Sequence, residues 1–168
     1  MTKTDERIDI LSALAKHRGF LRQTLDGVTD DQAGTRTTVS ELCLGGIVKH
    51  VTAVEQSWTG FIKRGAEAMA GGFDEAAFEA HLETFRMSEG DTVTGLLGRY
   101  GAAAARTESV VNGLESLEVA HRLPDAPWLE RTEWSARRVL LHILAETAQH
   151  AGHADIIREA LDGTKTMG

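Results

Sequence analysis

The chain has 168 residues, 42% of them hydrophobic, and a formal net charge of −7. That is enough material for one self-sufficient core, and the acidic balance argues against nucleic acid or an anionic membrane as a partner, since both reward Lys/Arg patches. No stretch approaches the roughly 20 apolar residues of a membrane helix, and the single cysteine, Cys43, excludes an intramolecular disulfide and any multi-cysteine zinc site.

The N-terminal stretch MTKTDERIDIL lacks a basic-then-apolar signal pattern, so cytoplasmic residence is expected. Apolar spacing is helical nearly throughout, and no period-two run bounded by turns stands out. Helix one is expected from about Asp5 to Asp26, with Ile8, Leu11, Leu14, Leu21 and Leu25 inward, and GVTDDQAGTRT breaks it. Thr38-Val-Ser-Glu41 has the capping-box pattern, which starts helix two near Val39 and carries it to about Arg64. GAEAMAGG and a short helix in DEAAFEAHLETFR then form a long crossover. Helix three is expected from about Thr92 to Leu114, with an apolar stripe at three-four spacing. The segment HRLPDAPWLERTEW holds both prolines, Pro124 and Pro127, and reads as irregular. Helix four begins near Ser135, a good N-cap, and ends before Gly163. The predicted fold is all-α: a single four-helix bundle domain over residues 1–168, with a long crossover between helices two and three.

Helix four carries ETAQHAGHADIIRE, in which Glu146, His150 and His153 follow one another at spacings of four and three. On a wheel with Glu146 at zero, His150 falls at about +40° and His153 at about −20°, beside Val139, Ile143 and Ile157, while Asp155, Arg158 and Glu159 fall on the far side. The ionisable stripe therefore faces the core. A carboxylate buried without a partner costs several kcal/mol or takes up a proton, so such a stripe calls for a hydrogen-bonded polar layer or a metal. On helix two, His50 is central on the inward face, flanked on the wheel by Cys43, Val54 and Phe61. His17, His81 and His121 read instead as solvated or capping residues. His50, Glu146 and His150 form the best metal triad. Two imidazoles and a carboxylate suit zinc, with nickel, iron and manganese also acceptable, and three protein ligands leave open positions of the catalytic kind. Spacing leaves open whether His153 is a ligand, a neighbour holding one, or a proton acceptor; the same is open for His142, one turn before Glu146 on the stripe's edge, which also reads as a histidine satisfied near the end of the bundle.

The stretches LGGIVKHVTAVEQSW and LLHILAETAQHAGHADIIREALDG resemble the DinB-like superfamily of metal-binding four-helix bundles, in which one His comes from the second helix and a His-xxx-His or Glu-xxx-His pair from the last. His50 with Glu146-Thr-Ala-Gln-His150 fits the Glu-containing form, which resembles the mycothiol-dependent maleylpyruvate isomerase and thiol S-transferase branch. The resemblance implies up-down-down-up topology, a cytoplasmic protein, a homodimer, and a divalent metal, commonly zinc or nickel. It also implies chemistry in which a small thiol such as mycothiol meets the metal and attacks an electrophilic substrate.

A metal-dependent thiol S-transferase or isomerase is the leading reading. His153 is the first candidate proton acceptor, and Trp58, at about +80° on the helix-two wheel, is a candidate wall for the thiol cofactor as well as a plain packing residue. A hydrolase that uses metal-bound water and a non-catalytic, stress-associated metal-binding bundle compete with it. Gly45 and Gly46 each cost about 1 kcal/mol relative to Ala inside a helix. They mark a close approach, with a neighbouring helix expected before a ligand. Cys43 reads as a small buried core thiol.

Overall fold

The computed structural model describes residues 6–69, 75–125 and 132–166. The expected residues Asp5, Asp74 and Pro127 lie outside them. The chain is mostly helical. In order it forms α1 (Glu6–Gln23), α2 (Asp30–Gly34), α3 (Leu44–Arg64), a 3-10 turn (Gly65–Met69), α4 (Glu75–Glu83), α5 (Val93–Gly113), β1 (Ala120–Arg122), β2 (Glu133–Ser135) and α6 (Ala136–Asp162). Among the described residues no helix is long and apolar enough to cross a membrane.

The long helices end where local chemistry ends them. Thr92 caps α5 by accepting from the amide of Gly95, and Ser135 caps α6 by accepting from that of Arg138. Gly163 closes α6 at φ 78°, the left-handed conformation that glycine adopts without a Cβ penalty. Helix two starts later than Thr38-Val-Ser-Glu41 predicts, at Leu44. The Thr38 hydroxyl accepts from Ser40 N at 3.2 Å and the Ser40 hydroxyl from Leu42 N at 3.2 Å, while Glu41 pairs with Arg36 at 2.7 Å. The same side chains that would start a helix are spent on successive tight turns. A capping box does exist upstream, between Thr29 and Gln32 on the short α2.

The predicted irregular segment also differs. It contains a two-stranded antiparallel pairing, β1 with β2, in which His121 faces Trp134. Strands of three residues are too short for alternation to register in the sequence. His121 donates from Nε2 to the carbonyl of Ile62 at 3.1 Å, tying β1 to the last turn of α3.

α3 packs on both α5 and α6, and α1 packs on α6 and α5. Their buried faces form two apolar clusters. One gathers Leu14, Phe61, Val111, Val139 and Ile143, the other Leu21, Ile47, Val51, Leu96, Ala154 and Ile157. Along each long helix a polar residue falls between the two: Arg18 on α1, Glu55 on α3, Thr107 on α5 and Thr147 on α6, all buried. Arg18 and Glu55 form a two-pronged ion pair, and Thr107 donates to Glu55 Oε1 at 2.6 Å while sharing a hydroxyl contact with Thr59 at 2.9 Å. Ile8, expected inward, is 61% exposed.

Beyond α4 the crossover is pinned onto α3. Lys49 reaches the Arg86 carbonyl, the Ser88 hydroxyl and Asp91 at 3.1, 2.7 and 3.1 Å. Gly45 and Gly46 explain the close fit. A Cβ on Gly46 would overlap the Phe85 carbonyl, and one on Gly45 would overlap the Met87 thioether. The neighbour these glycines admit is thus the crossover, by its backbone at Gly46 and by the Met87 side chain at Gly45, where the sequence suggested a helix.

Candidate metal centre

α3 and α6 bring His50, Glu146 and His150 together. Each offers one ligand atom, and the three atoms lie within 4.8 Å of one another. Glu146 and His150, one turn apart on α6, set Oε2 and Nε2 at 3.6 Å, close to the separation of about 3.4 Å that two ligands at 2.0–2.2 Å take on a tetrahedral ion. His50 is 3% exposed, and its ring lies 4.9 Å, centroid to centroid, from that of His150.

The protonation states favour a cation. Burial pushes the His50 imidazole down to about 4, with the neighbouring His150 and His81 pushing the same way against Glu146. His50 is therefore a neutral, lone-pair donor at pH 7. The His150 imidazole beside Glu146, with His142 and His50 adding to it, holds the Glu146 carboxyl below the usual carboxylate range despite burial. The neutral His50 imidazole and the Glu146 carboxylate, with the His150 ring as a second imidazole, are a donor set that fits a divalent ion.

The triad opens onto a cavity of about 410 Å³ whose walls include Val54, Trp58, His81, Phe85, His142 and Gln149. Trp58, read as a candidate wall or a plain packing residue, lines the cavity and also packs against the core. Its indole stacks on Trp134 at 4.9 Å and meets the His142 ring edge-on at 4.8 Å. Arg138 covers the Trp134 ring at 4.0 Å. His142 Nε2 lies 3.9 Å from Glu146 Oε1, and burial pushes its imidazole down as well.

His153 is placed differently. It does not line the cavity. It stands beside His150, ring centroids 5.5 Å apart, and its Nδ1 is buried with no hydrogen-bond partner among the described residues. Conversely, His81, which the sequence reading set aside as a crossover residue, forms part of the wall, 5.1 Å from the His50 ring. Thr84 and Phe85 were also passed over. Thr84 Oγ1 is 2.9 Å from His50 Nδ1, and Phe85 stacks on the His50 ring. Helical spacing carried no signal for these three, because a long connection's periodicity does not say which face of the core it folds back onto. Cys43 is buried ahead of α3, as its reading as a core thiol expects.

A family model described as mycothiol-S-transferase matches residues 9–163. The chain belongs to that family. This agrees with the DinB-like resemblance carried by the helix-two and helix-four stretches. Among solved structures, a conserved protein from Enterococcus faecalis superposes with a TM-score of 0.66 at 13% identity, over 96% of this chain and 100% of that one. At that identity the likeness shows a shared fold alone. No curated relative matches the chain.

Proposed function

We propose that this protein is a metal-dependent thiol S-transferase in which His50, Glu146 and His150 hold one divalent ion, zinc or nickel before iron or manganese, and mycothiol or a similar small thiol is the nucleophile. The observation that carries the proposal is the convergence of two imidazoles and one carboxylate, within 4.8 Å of one another, on the wall of a roughly 410 Å³ cavity. Membership of the mycothiol-S-transferase family supports the choice of thiol. A divalent ion bound there lowers a thiol's pKa and makes thiolate available at neutral pH.

The chain's own residues do the rest. Trp58 and Phe85 supply apolar walls against which an electrophile is oriented and water is kept out. His142 accepts the thiol proton in this reading. It faces the cavity next to Glu146, and burial keeps its imidazole neutral. His153, behind His150, is assigned to supporting that ligand. The proposal extends to a four-helix bundle of up-down-down-up topology acting as a cytoplasmic homodimer.

The test begins with elemental analysis of untagged protein beside His50→Ala and His150→Ala. Close to one metal per chain in the parent, lost in both variants, is the expected result, followed by electrophile consumption that needs both metal and thiol. Metal-dependent ester hydrolysis without any thiol would replace the transferase reading with a hydrolase. No metal in the parent after reconstitution with all four ions would end both.

A further inference from the structure

The His50 ring is held by a short chain of hydrogen bonds that runs through Thr84 to the backbone of His81. A threonine hydroxyl has a single proton to give. Thr84 Oγ1 gives it to the carbonyl oxygen of His81, 2.6 Å away, an atom that can only accept. The amide of Thr84 donates to the same oxygen at 3.1 Å, so both groups fasten Thr84 to the turn that ends α4. What remains on Oγ1 is lone-pair density, and it points at His50 Nδ1 from 2.9 Å. Nδ1 must therefore carry the imidazole proton. The other neutral tautomer would set two lone pairs against each other or break the Thr84–His81 bond.

Phe85, the next residue, closes the remaining freedom. Its ring lies over that of His50 with centroids 3.8 Å apart and planes inclined by 20°. It can sit there because Gly46, one turn before His50 on α3, leaves room for the Phe85 carbonyl. The crossover thus reaches His50 with one hydrogen bond and one stacked face.

We propose that Thr84 is a positioning residue that fixes His50 as the Nδ1–H tautomer and so presents the Nε2 lone pair to the cavity. The consequence for metal binding rests on the site reading above, whereas the tautomer itself does not. Ligating histidines are commonly oriented by a partner on the second ring nitrogen, and loss of such a partner costs about 10–100-fold in metal affinity.

The experiment compares the parent with Thr84→Val, which keeps the shape and removes the hydroxyl, and Thr84→Ser, which restores it. Long-range nitrogen–proton NMR on metal-free, histidine-labelled protein at pH 7.5 reads the tautomer, and competition with a chromophoric chelator reads zinc affinity. The parent is expected to show His50 protonated at Nδ1. Thr84→Val is expected to lose that preference and to bind zinc about 10–100-fold more weakly, and Thr84→Ser to recover both. A parent protonated at Nε2, a Thr84→Val protein with the parent's tautomer and affinity, or a Thr84→Ser protein no better than Thr84→Val would each overturn the proposal. A parent that binds no zinc sinks the metal reading separately, and the tautomer comparison then decides the role of Thr84.

Discussion

Phe85 lies flat against His50, ring on ring at 3.8 Å, so a residue of the crossover walls a site whose proposed ligands come from α3 and α6. That contact depends on Gly46. Gly46→Ala would drive a methyl group into the Phe85 carbonyl, which belongs to the backbone and cannot swing aside as a flexible side chain can. The crossover has to lift. Alanine favours the helix by about 1 kcal/mol over glycine, so α3 itself gains while the site loses its wall. The expected outcome is a protein of near-parental helicity in which Phe85 no longer shields His50. Hydrogen exchange should rise at residues 84–87 and zinc affinity should fall. Unchanged exchange in that segment would show that the overlap is absorbed elsewhere.

Much of this was legible in the sequence where one physical signal was decisive. Thr92, Ser135 and Gly163 mark real helix ends because a capping hydroxyl or a left-handed glycine has few other uses beside a helical stripe. The wheel on helix four set Glu146 and His150 on the face that meets His50, and the structure brings their ligand atoms together. On helix two a wheel is less telling, because that helix is covered on more than one side. Glu55 lies about 140° from His50 on that wheel, yet both are buried, because α3 is covered by α5, α6 and the crossover at once. Arg158, read as facing solvent, is buried too. Its guanidinium spans the carbonyls of Thr24 and Asp26 at 2.8 and 2.9 Å, a role that spacing on its own helix does not reveal.

Acid should destabilise the metal-free protein through the site. His50 titrates near 6.5 when exposed and about 4 in the fold. Between those values the unfolded chain binds a proton that the folded chain does not, so stability is full above about pH 6.5 and is lost as pH falls toward 4. The loss from this group alone is about 3 kcal/mol at most. His142, also lowered, adds in the same direction, and Glu146, held below 4.5, extends the loss at the acid end. Urea unfolding of chelator-treated protein from pH 8 to 4 should show this slope, and His50→Phe should flatten it. Parallel slopes in the two proteins would assign the acid sensitivity to other groups.

The buried pair of Arg18 and Glu55 makes the last prediction. Both charges are out of water, at 4% and 0% exposure, and their attraction must offset the cost of stripping their hydration. Removing one partner leaves the other charged and buried, so Arg18→Met should destabilise by about 3–5 kcal/mol. Replacing both removes the orphan. Arg18→Met with Glu55→Met should recover most of that loss, because Thr107 retains the Ala103 carbonyl at 3.1 Å as an acceptor and the two apolar clusters then merge through the gap. The pair sits at the level of Thr147, the residue after Glu146, yet none of its atoms lines the cavity. Zinc affinity of the double variant should therefore stay within a few-fold of the parent. If the double variant is as unstable as Arg18→Met alone, the polar layer contributes net stability that a filled apolar core does not replace. If stability recovers but zinc binding is lost, the layer sets the relative placement of α3 and α6, and through it the spacing of His50 from Glu146 and His150.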